Sequence, residues 1–209
     1  MGTGTSSNAA MRPPRTVPSS AARPMSDLTE AQLSSEQLVD GALLKAFRDE
    51  VRLPNGQTSV REWIDHPGAS AIVPVFEDGR TLLVRQFRYP RRRAFLEVPA
   101  GKIDEPGEAP ADVAARELEE ETGWQAGRFE HVGTAYPCIG YSNEQIHVFT
   151  AHDLDRGTQA LADGEFVEVV EVDFETALAR ARHGDLPDMK TVTALVYAAA
   201  HLNESSAAP

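Results

Sequence analysis

The 209 residues suit one globular domain with attachments, and 41% hydrophobic with 25% charged residues is the balance of an ordinary folded protein. A formal net charge of −12 excludes nonspecific binding to nucleic acid or an anionic membrane, which need a basic surface, yet it does not oppose a phosphorylated substrate that arrives with metal ions. The one cysteine, Cys138, allows no intrachain disulfide and fits a reducing, cytoplasmic setting, and no apolar run approaches the roughly 20 residues that span a bilayer.

Residues 1–27 read as a disordered tail. The stretch is rich in Ser, Ala, Pro and Gly, carries Arg12, Arg15 and Arg23, and has no acid before Asp27. It lacks the apolar core of a secretory signal, and its prolines spoil an amphipathic transit helix. Residues 28–66 form an N-terminal strand subdomain, ordered from about Glu36. Within it "LLKAFRDEVRLPNGQTSVREWI" (43–64) predicts two strands around the hairpin signal Asn55–Gly56.

Residues 67–203 carry the main domain, and 204–209 a flexible end. "ASAIVPVF" (69–76) and "TLLVRQFRY" (81–89) predict apolar strands joined by "EDGR", and "FLEVPAG" (95–101) a short strand. "APADVAARELEEETG" predicts a helix with Ala109–Pro110 in its first turn and Gly123 as its stop; Val113, Ala114 and Leu118 share one side. Strands follow near 128–136, 144–151 and 165–173, then helices over "FETALARARHG", stopped by Gly184, and over 188–202. No repeat is visible. The order of strands, central helix, strands and closing helices predicts a mixed sheet sandwiched by helices, an α/β (α+β) fold.

"RELEEETG" (116–123) crowds four glutamates into five positions, which costs a helix a few tenths of a kcal/mol per like-charged pair. At about 100° per residue, Glu117, Glu120 and Glu121 fall within an arc of roughly 100°, while Glu119 points elsewhere. Such an arc can hold a hard divalent cation by carboxylate oxygens, with Arg116 orienting a neighbouring carboxylate. An acidic run by itself is as often a solvated face.

What precedes the run decides between them. "GKIDEPGEAPADVAARELEEETGW" (101–124) closely resembles the Nudix box, G-x5-E-x7-R-E-U-x-E-E-x-G-U with U aliphatic or aromatic. One departure is visible: six residues, not five, separate Gly101 from Glu108, and the extra one lies in the loop before the helix. The resemblance implies a Nudix-type α/β/α sandwich and Mg²⁺-dependent hydrolysis (Mn²⁺ being the alternative) of a nucleoside diphosphate linked to another group. It further implies Glu117, Glu120 and Glu121 as metal ligands, joined by the Ala100 carbonyl, with Glu120 and Arg116 assisting catalysis.

Similarity extends over most of 36–200. "LLVRQFRYP", "FLEVPAGKID", "GYSNEQIHVFTA", "GEFVEVVEV" and "PDMKT" are similar to the ADP-ribose pyrophosphatase and nucleoside diphosphate sugar hydrolase branch. That resemblance implies a homodimer paired through the N-terminal strands, with Arg61 and Glu62 reaching nucleotide across the dimer and Trp63 free to stack on a base. It implies substrate contacts from Arg85, Arg88, Glu97 and Glu144; three apart on one strand, Arg85 and Arg88 point to opposite faces unless the strand bends. For the catalytic base, Glu165 in "LADGEFVEV" leads, with Asp163 and Glu144 as alternatives. Pro137 falls earlier than the proline that accompanies ADP-ribose specificity, which keeps GDP-mannose and ADP-glucose beside ADP-ribose. Dinucleoside polyphosphates and NADH are further substrates to weigh, as is a sensing domain without turnover; the retained box glutamates favour catalysis. Cys138 has no partner in sequence that would make it a nucleophile.

Overall fold

The computed structural model describes residues 27–105 and 107–207, so the tail expected over 1–27 lies outside the described residues except for Asp27. Three strands form the N-terminal sheet: β1 (Ala31–Asp40), β2 (Lys45–Arg52) and β3 (Thr58–Asp65), antiparallel in the order β1-β2-β3. Asn55–Gly56 does turn the β2–β3 hairpin, with Gly56 at φ 84° and the Asn55 side chain accepting from Gln57 N–H. Strand β1 was not foreseen. Its "AQLSSEQLVD" lacks alternation, and every residue of it is exposed.

The main domain begins with β4 (Ala69–Pro74) and β5 (Arg80–Arg88), followed by a 3-10 turn, Tyr89–Arg91. The expected strand over 95–101 is two strands, β6 (Arg93–Glu97) and β7 (Ala100–Lys102). They belong to different sheets, and the break falls at Val98–Pro99, where proline has no N–H to give a ladder. Helix α1 (Pro110–Thr122) leads directly into β8 (Trp124–Ala135), and β9 (Ile146–Arg156), β10 (Val167–Asp173), α2 (Phe174–His183) and α3 (Met189–Ala207) complete the chain. The end expected to be flexible from 204 continues α3 to Ala207.

One sheet runs β7-β4-β9-β8, mixed because β4 and β9 are parallel; the other runs β10-β5-β6, all antiparallel. Strand β4 is buried on both faces, so it sorts its side chains between two cores. Ala69, Ala71 and Val73 face α2 and α3 together with Val148, Leu178, Leu186 and Leu195, while Ile72 faces α1 with Ala114, Leu118, Phe149 and Ala151. This is the helix–sheet–helix sandwich read from the sequence. Among the described residues no helix is long and apolar enough to cross a membrane.

Candidate active site

Pro110 opens α1 at a position where a missing N–H costs nothing, and Gly123 closes it in the left-handed region at φ 69°. The apolar stripe Val113, Ala114 and Leu118 is fully buried and fixes the helix roll. That roll brings Glu117 and Glu121 to the edge of the core beside β7. Glu121 is only 5% exposed, and its Oε2 accepts from the Ala100 N–H at 3.0 Å. Burial pushes its carboxyl up to about 7; Ala100 N–H and Lys190 oppose the rise, and the charges of Glu117 and Glu165 add to it. Burial likewise pushes Glu117 up, against the pull of Arg116.

Gly101 makes room for this arrangement. A Cβ there would stand 1.9 Å from Glu117 Cδ and 2.0 Å from its Oε1, so only glycine lets the carboxylate lie across β7. Arg116 Nη1 donates to Glu117 Oε1 at 2.7 Å and lies 3.5 Å from Glu120 Oε2, and its Nε is 3.5 Å from Glu108 Oε1. The extra residue in the loop therefore leaves Glu108 beside Arg116. Glu119 points away, as its helical angle requires, and accepts from Gln125 at 2.6 Å.

Among the described residues no three His, Cys, Asp or Glu side chains close around a metal by themselves. The fit is of another kind. Glu117, Glu120 and Glu121 offer carboxylate oxygens along one helix edge, and Mg²⁺ takes one or two such ligands and completes its shell with water and substrate phosphate. A buried carboxyl held near neutrality gains from a cation that arrives beside it.

A second, cationic group adjoins the first. Arg88 Nε and Nη2 donate to Glu97 Oε1 and Oε2 at 2.7 and 2.6 Å, a bidentate pair, and Glu97 is 3% exposed. Lys190 Nζ lies 3.2 Å from Glu97 Oε2, 3.3 Å from Asp188 Oδ2 and 3.2 Å from the Val98 carbonyl, which occupies its three donors. Thr191 ties the same corner together: its hydroxyl donates to Asp188 and accepts from the Val98 N–H. Burial would raise Glu97, but Arg88 and Lys190 outweigh it and hold the carboxyl below its ordinary value. A cavity of about 370 Å³ opens here between Arg88, Arg91, Phe95, Met189 and Lys190. A roomier depression at Glu77, Asp78, Asp153 and Asp155 is lined by acids that would repel a diphosphate.

The expected residues are thus partly gathered. Arg116, Glu117, Glu120, Glu121 and Ala100 come together, with Arg88 next to them. Ala100 is tied to the cluster through its N–H. Glu97, expected at ribose or phosphate, pairs with Arg88 and Lys190. Arg85 points to the other face of β5 and pairs with Glu168 at 2.8 Å. Glu165 stands in an exposed turn before β10, near enough to Glu117 and Glu121 to act on both electrostatically. Glu144 lies at the junction with the N-terminal sheet, 3.9 Å from His66 Nδ1. Arg61 bonds Ser59, the Val60 carbonyl and Glu30, all in the N-terminal segment. Trp63 stacks on Phe47 and donates to Asp49, and Glu62 pairs with Arg48. Lys190, Asp188 and Thr191 were not singled out in the sequence; "PDMKT" was the signal that held them.

A family model described as the NUDIX domain matches residues 65–195, and one described as the nucleoside diphosphate sugar hydrolase N-terminal domain matches residues 30–64. An ADP-ribose pyrophosphatase of Bacillus subtilis (strain 168) is 40% identical over 175 residues, covering 83% of this chain and 94% of its own. A methanol dehydrogenase activator of Bacillus methanolicus is 38% identical, covering 80% and 91%. A GDP-mannose pyrophosphatase of Yersinia pestis (strain Pestoides F) is 32% identical, covering 72% and 80%. A solved structure of an ADP compounds hydrolase shares the fold, with a TM-score of 0.74 at 21% identity over 84% of this chain and 95% of that one.

Proposed function

The chain belongs to the Nudix family, and from that premise we propose that it hydrolyses the diphosphate of ADP-ribose or a related nucleoside diphosphate sugar, giving a nucleoside monophosphate and a sugar phosphate. The observation that carries the reading is Glu117 laid across Gly101 and held by Arg116, with buried Glu121 beside it. Glu117, Glu120 and Glu121, with the Ala100 carbonyl, would hold Mg²⁺, or Mn²⁺ in its place. When bound, the cation supplies charge for the diphosphate and acidity for water.

The chain's own residues do the rest. Arg116 keeps Glu117 and Glu120 aimed at one edge of α1. Arg88, oriented by Glu97, points its remaining donors toward a phosphate, since Nε and Nη2 are already committed. Glu165 takes the proton of the attacking water as its oxygen bonds to phosphorus, and the bridging P–O bond breaks with its electron pair on the departing phosphate. Exposed Leu33, Leu38, Val39 and Val60 on the N-terminal sheet support pairing of two copies through it, which would bring Arg61 of the partner subunit within reach of the site. The lone thiol of Cys138 fits work in the reducing cytoplasm.

The test is turnover with Mg²⁺ across ADP-ribose, GDP-mannose, ADP-glucose, NADH and diadenosine polyphosphates, with the products identified by chromatography. AMP with ribose phosphate, or the matching pair from another sugar nucleotide, is the expected outcome. Silence across the whole panel by folded, metal-binding protein would contradict the reading.

A further inference from the structure

The last carbonyls of a helix lack intrahelical donors, and at the end of α1 those of Glu120, Glu121 and the cap Gly123 are met by one short segment. After β9 ends at Arg156 the chain crosses the end of α1. Gly157 N–H donates to the Gly123 carbonyl at 2.8 Å and Ala160 N–H to the Glu120 carbonyl at 3.0 Å. Between them, the Gln159 side chain donates through Nε2 to the Glu121 carbonyl at 2.6 Å. Gly123 serves this crossing as well as the helix stop, because a Cβ on it would stand 2.7 Å from Gln159 N.

The segment leads straight to Glu165. Two residues past Ala160 the chain turns, closed by Glu165 N–H to the Ala162 carbonyl at 3.0 Å with Gly164 at φ 87°. Val167 then pairs with Gln86 of β5. Glu165 therefore rides an arch with one foot on the end of α1 and the other on β5. Two ties of the near foot are backbone groups, which a substitution leaves in place. Gln159 supplies the side-chain tie.

We propose that Gln159 is a positioning residue: its amide pins the arch to the carbonyl of Glu121 and so sets where the Glu165 carboxylate stands relative to the glutamates of α1. This rests on the reading of Glu165 as the base. A displacement of about 1 Å in a reacting group costs up to about 100-fold in rate even when nothing else at the site changes.

The experiment is a double-mutant cycle on the full chain, with ADP-ribose and Mg²⁺, using Gln159→Met, Glu165→Gln and the pair. Gln159→Met keeps the length of the side chain and removes the donor. Alone it should lower kcat about 10- to 100-fold, with KM within about twofold of wild type. In the Glu165→Gln background it should cost nothing further. An unchanged kcat, or the same loss in both backgrounds, overturns the proposal, because Gln159 then does not act through Glu165. Should Gln159→Met fail to fold, Gln159→Asn makes the same cut by falling short of the carbonyl. Wild-type kcat in Glu165→Gln alone would remove the base assignment and the proposal with it, whereas a slow Glu165→Gln with no coupling to Gln159 would remove only the proposal.

Discussion

At Gly101 a methyl group would overlap the Glu117 side chain, so the glycine of the box is dictated by close approach. Residue identity here follows from a neighbour twice over, because the same closeness lets Glu121 take the adjacent Ala100 N–H. Lys190 shows the same dependence in charged form. Its ammonium serves Glu97, Asp188 and the Val98 carbonyl from a nearly buried position, so removing it strands carboxylates that burial penalises. Lys190→Met should destabilise the chain by about 3 kcal/mol, read from the midpoint of urea unfolding. An unmoved midpoint would mean that Arg88 alone satisfies Glu97. None of this coupling is legible in the linear sequence. Glu97 reads as a substrate contact because its bonds to Arg88 and Lys190, nine and 93 residues away, form only on folding.

At the scale of elements, the sequence is most readable where local chemistry and packing agree. Helix α1 begins at Pro110 and stops at Gly123 as its caps require, and its buried stripe and its glutamate edge sit where a 3.6-residue period puts them. Hairpin β2–β3 follows from Asn55–Gly56 in the same way. The failures have physical causes. Val98–Pro99 interrupts an apolar run without a polar break, so one expected strand is two, and the interruption places Ala100 and Gly101 on a separate sheet beside α1. Strand β1 forms by pairing with β2, across two irregularities of register, and owes little to its own side chains. The crossing segment 157–160 carries no periodicity at all. Its order comes from the end of α1, so Gln159 is invisible to any reading of local pattern.

For the whole molecule, the N-terminal sheet joins the main domain through a narrow seam. Ile64 N–H donates to the Tyr141 carbonyl at 2.8 Å, and Asn143 bonds Asp65 and the His66 N–H. Beyond the seam the sheet presents Leu33, Leu38, Val39 and Val60 to solvent, and the β1–β2 loop adds Leu43 and Leu44, apolar surface that small monomeric sheets rarely leave open. Light scattering on the eluting protein should give twice the 22.7 kDa chain mass, and Leu38→Glu with Val60→Glu should halve it and depress turnover together. A monomeric wild type with full activity would contradict the pairing and remove Arg61 from the site.

The proposed role of the α1 glutamates is to hold a divalent cation for hydrolysis. Burial pushes Glu121 from an ordinary 4.5 up to about 7, so the folded state binds the extra proton between those values. Its contribution to stability therefore falls as pH rises through that window and is lowest above about 7, where a cation has most to restore. The measurement is the rise in Tm on adding Mg²⁺ at pH 6 and pH 8, for wild type and Glu121→Gln. A gain of several degrees is expected in wild type, from roughly 2–3 kcal/mol of binding at saturation, larger at pH 8 and mostly lost in Glu121→Gln. An equal gain in both proteins, at both pH values, would place the cation elsewhere and contradict the assignment of the site.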